Sequence, residues 1–203
     1  MTTISIIGSG NMAAAIGNRA VQHGHTVELL SRDAAKAQAL ADKIGDGAVV
    51  GTFGARPAGD IVFVAVLYGG VVDAVTTYGD ALAGKVLVDI SNPFNADASG
   101  LVTPTSAAQE IADVAPEGAH VVKALNTIFG HVLAKGTPLD AFIAGDDAKA
   151  KADVTQFFDS LELRTLDAGG LQAAAFLESA ALLLVGLANN GAGFELALAA
   201  RIR

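Results

Sequence analysis

Short runs of β-branched and apolar residues alternate along the chain with longer, alanine-rich segments. The runs are Thr3–Ile7, Thr26–Leu30, Ala48–Val50, Ile61–Val66, Val86–Ile90 and His120–Ala124. None alternates strictly between apolar and polar residues, so each predicts a strand buried on both faces. Between them Met12–His23, Ala34–Ile44, Val71–Leu82 and Ser106–Val114 are long enough and apolar enough for helices. Alternation of strand and helix predicts the α/β class with a doubly wound, mostly parallel sheet. Punctuation agrees with this. Asp33 can cap the segment opening at Ala34, and Gly45 follows its last apolar residue. Gly145-Asp146-Asp147 sets acids at the start of Ala148–Ser160, where a helix dipole favours them. Beyond residue 126 the pattern predicts two more strands, Ala141–Ala144 and Leu163–Leu166, and a long apolar helix over Leu171–Ala188. The expected division is a core over 1–126 and a small C-terminal extension over 127–203, packed with the core as one unit.

Composition narrows the classes of function. Of 203 residues, 52% are hydrophobic and 17% charged, which excludes an intrinsically disordered chain. The chain has no cysteine, which removes disulfides and thiolate metal sites. The formal net charge of −8 argues against nucleic acid as a partner. The first residues lack a basic segment, a long apolar segment and a cleavage site. Ala180–Ala188, the longest uncharged apolar stretch, falls short of the roughly 20 residues that span a bilayer. The expectation is a cytoplasmic protein with no membrane partner.

The first strand runs into Gly8-Ser9-Gly10-Asn11-Met12-Ala13, a G-x-G-x-x-A dinucleotide loop. In that pattern Gly8 makes the tight turn, Gly10 lets the backbone approach a pyrophosphate, and Ala13 lets helix and strand pack closely. The free N–H groups and positive end of the helix dipole favour phosphate there. The context is the required one, strand then loop then helix, so the predicted architecture is a Rossmann sheet. An NAD site would place an acid at the end of the second strand. This chain reads Leu30-Ser31-Arg32-Asp33-Ala34-Ala35-Lys36 instead. Ser31 presents no repulsion to a 2′-phosphate, and Arg32, with Ser9 and Lys36, can grip it. The cofactor expected is NADP(H). The ends of the later strands supply Val66, Leu67, Tyr68, Asn92 and Ala124 as further cofactor-binding residues.

Other motifs carry less. Gly79-Asp80-Ala81-Leu82-Ala83-Gly84-Lys85-Val86 imitates a phosphate loop, but Val86 stands where Ser or Thr must hold magnesium and the element order is reversed. His23-Gly24-His25 reads as a helix-end turn rather than a metal site. Glu178, the one charge in Leu171–Ala188, is either a buried, paired carboxylate or a functional one. The loops that should face the nicotinamide carry amides, hydroxyls and aromatics. Asn92 and Pro93 on one side, and Asn126, Thr127 and Ile128 on the other, are the expected positioning residues. No certain catalytic acid or base is found, with Lys123 placed late in a strand and His131 the nearest imidazole. Ketone reduction normally needs a proton donor. Hydride transfer between stacked rings needs mainly proximity and orientation.

The chain resembles the NADPH-dependent reductases of the deazaflavin coenzyme F420 over nearly its whole length. The resemblance rests on Gly8–Ala13, on Ser31-Arg32 with Lys36, and on Val121-Val122-Lys123-Ala124-Leu125-Asn126-Thr127-Ile128. It also rests on Ala144-Gly145-Asp146-Asp147, and on Leu166-Asp167-Ala168-Gly169-Gly170-Leu171 followed by Leu177-Glu178. It implies a Rossmann domain with a small C-terminal extension, a homodimer, and direct hydride transfer between NADP(H) and the deazaflavin. The function expected is hydride transfer from NADPH to a redox-active ring as small-molecule acceptor, a deazaflavin or a flavin. Ser9, Ser31, Arg32 and Lys36 match the family's 2′-phosphate contacts. Leu67 and Phe129 stand where the family often has Pro, and Asn126 replaces a His of some members. Two alternatives remain: reduction of a small carbonyl or imine, since Gly10-Asn11-Met12-Ala13 is also similar to pyrroline-carboxylate reductases, and a non-catalytic NADP(H)-binding redox sensor. The small residues Ala173, Ala174, Ala180, Ala181 and Gly186 on an all-round apolar helix make Leu171–Ala188 the expected dimer element.

Overall fold

The computed structural model describes residues 1–201, so Ile202 and Arg203 of the expected extension lie outside the described residues. Its strands are β1 (Thr3–Ile7), β2 (Thr26–Leu30), β3 (Ala48–Val50), β4 (Ile61–Val64), β5 (Val86–Asp89), β6 (His120–Ala124), β7 (Leu139–Gly145) and β8 (Leu163–Asp167). Helices α1 (Asn11–Gln22), α2 (Ala34–Ile44), α3 (Val71–Tyr78), α4 (Ala107–Val114), α5 (Gly130–Leu133), α6 (Ala148–Ser160) and α7 (Ala174–Leu187) connect or follow them. All eight strands join one sheet in the order β3–β2–β1–β4–β5–β6–β7–β8. The first six are parallel, in the doubly wound order that reverses between β1 and β4. β7 turns antiparallel against β6, and β8 runs parallel to β7. The strands of the extension therefore continue the sheet of the core.

The undisguised apolar runs are the central strands. β4 and β5 are buried along their whole length, and each Ile, Val or Phe withdrawn from water there contributes about 1.5–3 kcal/mol. The two faces differ. One packs Ile4, Ile6, Phe63, Val88 and Val122 against α1, α2 and α6 through Ile16, Leu40 and Phe157. The other packs Ile7, Val62, Val64 and Leu87 against α3 and α4. Asp33, Ser106 and Asp147 each accept a backbone N–H at the start of α2, α4 and α6.

Several boundaries move by one to four residues from those read in the sequence. β4 ends at Val64 rather than Val66, because the chain leaves the sheet to pass beside the phosphate loop. The helix expected over Val71–Leu82 stops at Tyr78 and finishes in a 3-10 turn at Gly79–Leu82.

The C-terminal helix is longer than the apolar stretch read in the sequence. With its flanking turns it runs from Leu171 to Ala192, 22 residues containing an 18-residue window of mean hydropathy 1.8, long and apolar enough by length and composition to cross a membrane. Ala180–Ala188 alone is shorter than that span. In the fold this helix lies on the sheet, and Glu178 points inward.

Arg19 of α1 was not singled out in the sequence. It is 2% exposed, and its guanidinium donates to four backbone carbonyls: Leu161 at 2.8 Å, Thr137 at 3.0 Å, Leu133 at 3.3 Å and Glu162 at 3.4 Å.

Candidate functional site

Three adjoining cavities run along the carboxyl edge of the sheet. The first, of about 270 Å³, is lined by Gly8, Ser9, Gly10, Ser31, Arg32 and Phe53 among others, with Val66 and Leu67. The second, about 430 Å³, takes in Gly10, Asn11 and Met12 on one side and Leu67, Tyr68, Ser91 and Asn92 on the other. The third, about 200 Å³, lies beyond Met12, Ile90, Asn92 and Phe94, and is walled by Leu125–Gly130 and by Ala181, Leu184 and Val185 of α7. Shared lining residues make them one cleft across the switch point between β1 and β4.

The phosphate loop explains why the cleft exists. Gly8 has φ +134°, and a Cβ there would overlap the Ala65 carbonyl. Only glycine permits that turn and that approach. A Cβ on Gly10 would meet open space, which is where a pyrophosphate would need room. α1 starts at Asn11, so the unpaired N–H groups of its first turn face the same space. At the outer end, Ser9 and Ser31 hydroxyls meet at 3.2 Å. Arg32 is exposed, 5.8 Å above the Phe53 ring, and lines the first cavity. Asp33 faces its own helix: Oδ1 accepts the Lys36 N–H at 3.1 Å. The Lys36 ammonium lies 3.5 Å from Asp33 and does not line the cavity. Ala13 and Ala124 are fully buried in the core, where they set helix and strand spacing.

The second cavity carries one O–H acid, Tyr68. Its hydroxyl donates to Glu110 at 3.0 Å. Burial and that carboxylate push the phenol above its ordinary range.

The loops after β5 and β6 are clamped twice. Above, Asn92 Nδ2 donates to the Asn126 carbonyl at 2.9 Å, and Asn126 Nδ2 donates to Asn92 Oδ1 at 3.0 Å. A carbonyl accepts only from the Nδ2 end, so the first bond fixes Asn92 and the second then fixes Asn126. Asn126 Oδ1 and Thr127 Oγ1 are left buried without a partner, an uncommon outcome in a folded chain. Leu125 between the clamps sits at φ +55°, a strained position for a leucine, of the kind found at binding sites. Pro93 is buried beside Asn92 and Ile128 lines the third cavity.

Below, three fully buried charged residues meet. Lys123 Nζ donates to Asp89 Oδ2 at 2.7 Å, to the Ser91 carbonyl at 2.6 Å and to Glu178 Oε1 at 2.6 Å. Asp89 Oδ1 accepts from the Ser91 N–H at 2.9 Å and from its hydroxyl at 2.7 Å. Glu178 Oε1 also accepts the Ala107 N–H at the start of α4, at 3.0 Å, while Oε2 has no partner. Burial pushes the Glu178 carboxyl above its ordinary range, against the pull of Lys123. Glu178 is thus a buried, paired carboxylate, and Lys123 holds the site loops from beneath. The sequence shows each as a lone charge in an apolar segment, but nothing in it pairs them across 55 residues.

The histidines lie elsewhere. His131 is about half exposed, bonds the Phe194 carbonyl at 2.8 Å and stacks on Phe129 outside the cleft. His25 accepts the Thr2 N–H on Nδ1, so Nε2 carries the proton that meets Ser160 Oγ at 2.9 Å. That polarity makes His25 a donor to Ser160, not a base that could activate it.

Residues 3–93 match the family model of NADP oxidoreductase, coenzyme F420-dependent. Metalloreductase STEAP3 of Rattus norvegicus is 31% identical over 186 residues, which are 90% of this chain and 37% of that protein. The chain thus spans little more than a third of such curated relatives. A candidate F420-dependent NADP-reductase from Arthrobacter sp. FB24 is 25% identical in structure alignment, with TM-score 0.82 over 94% of this chain and 95% of the other. A hypothetical protein from Sinorhizobium meliloti is 29% identical, with TM-score 0.76 over 86% and 88%. Over residues 3–93 the chain is thus similar to the NADP oxidoreductases, coenzyme F420-dependent.

Proposed function

We propose that the protein is an NADPH-dependent oxidoreductase that passes a hydride to a flat, redox-active ring, a deazaflavin such as coenzyme F420 or a flavin. One observation carries this reading. The chamber beyond the expected nicotinamide position is lined by apolar side chains and neutral amides and hydroxyls, with no titratable side chain among the described residues. Such a chamber can hold a ring in contact with the nicotinamide, and orientation of that kind contributes roughly 7–11 kcal/mol. It offers no proton to a developing alkoxide. In this reading NADP(H) lies with its pyrophosphate over Gly10–Met12 and its 2′-phosphate against Ser31 and Arg32. When bound it supplies the hydride. Asn92, Asn126, Thr127 and Ile128 position the acceptor, and Leu184 with Phe129 excludes water. The protein works as a cytoplasmic homodimer joined through α7.

The test is NADPH oxidation with a panel of acceptors: F420, FMN, FAD, a cyclic imine, a small ketone, and a ferric chelate with and without flavin. Turnover with the ring acceptors supports the reading. Turnover with the imine or ketone alone defeats it. Tyr68 gives that second reading its one structural support, as the only phenol lining the cleft. Tyr68→Phe would then abolish turnover, whereas ring reduction should persist within about tenfold. NADPH binding without turnover on any acceptor would leave the redox sensor.

A further inference from the structure

α7 is built the wrong way round for an ordinary surface helix. Its most polar side chain, Glu178, is 0% exposed, while Phe176 is 74%, Leu183 59% and Leu187 48% exposed. A helix normally turns its apolar stripe inward, and that stripe fixes its rotation. Here apolar residues occupy every side, so hydrophobicity alone does not choose which face meets the sheet. The ionic contact to Lys123 and the bond from Ala107 do choose. Ala181 and Leu184, three and six residues on from Glu178, share its buried face and with Val185 wall the apolar chamber.

Lys123 is one ammonium facing two carboxyl groups, and Asp89 alone would neutralise it. Glu178 is the surplus acid, carries the unpartnered oxygen, and is costly to bury. Buried polar groups that add little stability can set registry, as a single buried polar residue does in helical bundles.

We propose that Glu178 is a positioning residue that sets the rotation of α7 and thereby selects which side chains meet the acceptor; the acceptor part of this rests on the function proposed above. Glu178 touches neither cofactor nor acceptor in this scheme and acts through Lys123.

The chain has no cysteine, so a single introduced thiol reports local exposure without interference. Ala181→Cys, at a position 3% exposed, is compared with and without Glu178→Leu by its rate of reaction with a thiol reagent. Glu178→Gln is the conservative control, because its amide oxygen can still accept from Lys123 and Ala107. The expected result is labelling at least tenfold faster in the Leu background and near the parent rate in the Gln background, at melting temperatures within a few degrees. The KM for the ring acceptor should rise at least tenfold in Glu178→Leu and be restored by Gln, with the NADPH dissociation constant unchanged. Unchanged labelling in the Leu variant overturns the proposal, as does labelling that rises only with a fall in melting temperature. Should Glu178→Leu not fold, Glu178→Gln decides alone: labelling at least tenfold above the parent overturns it. Faster labelling with unaltered KM overturns its acceptor part. If the parent protein turns over no ring acceptor, the function proposed above fails, and labelling still decides the role of Glu178.

Discussion

Cofactor choice is decided at the level of single side chains. Ser31 occupies the position where an acid would bind a ribose hydroxyl pair, and Asp33, two residues later, is held by its own helix. Arg32 is the free cation lining that end of the cleft. A charge-assisted contact to phosphate is worth roughly 1.5–3 kcal/mol, or about one to two decades of affinity. Arg32→Ala should therefore weaken NADPH by about 10- to 100-fold and NADH by less than threefold in a fluorescence titration, and equal losses would rule out a 2′-phosphate contact. The Lys36 side chain, turned toward Asp33 and mostly exposed, should matter far less. His131 supplies the complementary test. It lies outside the apolar chamber and bonds the main chain, so His131→Ala should change turnover by less than tenfold. A loss of the 10²–10⁴-fold typical of a missing general acid would instead point to proton transfer in the rate-limiting step.

At the level of elements, α7 exposes Phe176, Leu183 and Leu187 on its outer face. Large apolar side chains in one exposed stripe mark an interaction surface. Phe176→Glu with Leu183→Glu should convert a dimer of about twice 20.4 kDa into a monomer by light scattering, without loss of helicity. A parent protein that is monomeric at micromolar concentration would refute the dimer. How well such elements can be read from sequence depends on where their information lies. The strands were legible because each is a run of apolar residues buried on both sides. The phosphate loop was legible because Gly8 and Gly10 answer local backbone needs. The direction of β7 was not assigned, since alternation and hydropathy are the same for a strand running either way. The Lys123–Asp89–Glu178 cluster and the Arg19 contacts were equally out of reach. They join residues 34 to 143 positions apart, and a charge in an apolar segment says that it needs a partner, not which one. The amide pair of Asn92 and Asn126 lay between these cases: both residues were singled out, but their mutual bonds depend on the register of β5 and β6.

For the molecule as a whole, stability should depend on pH through groups of opposite sign. Hydrogen bonds from Arg164 hold Asp140 below its ordinary range, and those from Lys85 do the same for Asp60. The stability these carboxylates contribute is complete above about pH 4 and is lost as pH falls below it. Glu178 behaves inversely. Its folded-state value lies above 4.5, so wild type loses stability as pH rises from there through the folded value. Urea unfolding between pH 3 and 8 should therefore show acid destabilisation in both proteins, with Glu178→Gln gaining on wild type as pH rises above 4.5; a constant difference would mean that Glu178 titrates alike folded and unfolded. Arg19 has a consequence for the order in which the chain becomes a protein. Its helix is made early, yet its four acceptors, Leu133, Thr137, Leu161 and Glu162, all lie more than 110 residues further along the chain. As the chain emerges from a ribosome, α1 carries a cation whose resting place has not yet been synthesised. A fragment ending at Ala124, β6 included, keeps the dinucleotide loop but must leave that guanidinium in water or bury it unpaired. It should unfold without a cooperative transition where the full chain melts sharply, and Arg19→Met should restore part of the fragment's cooperativity while destabilising the whole chain.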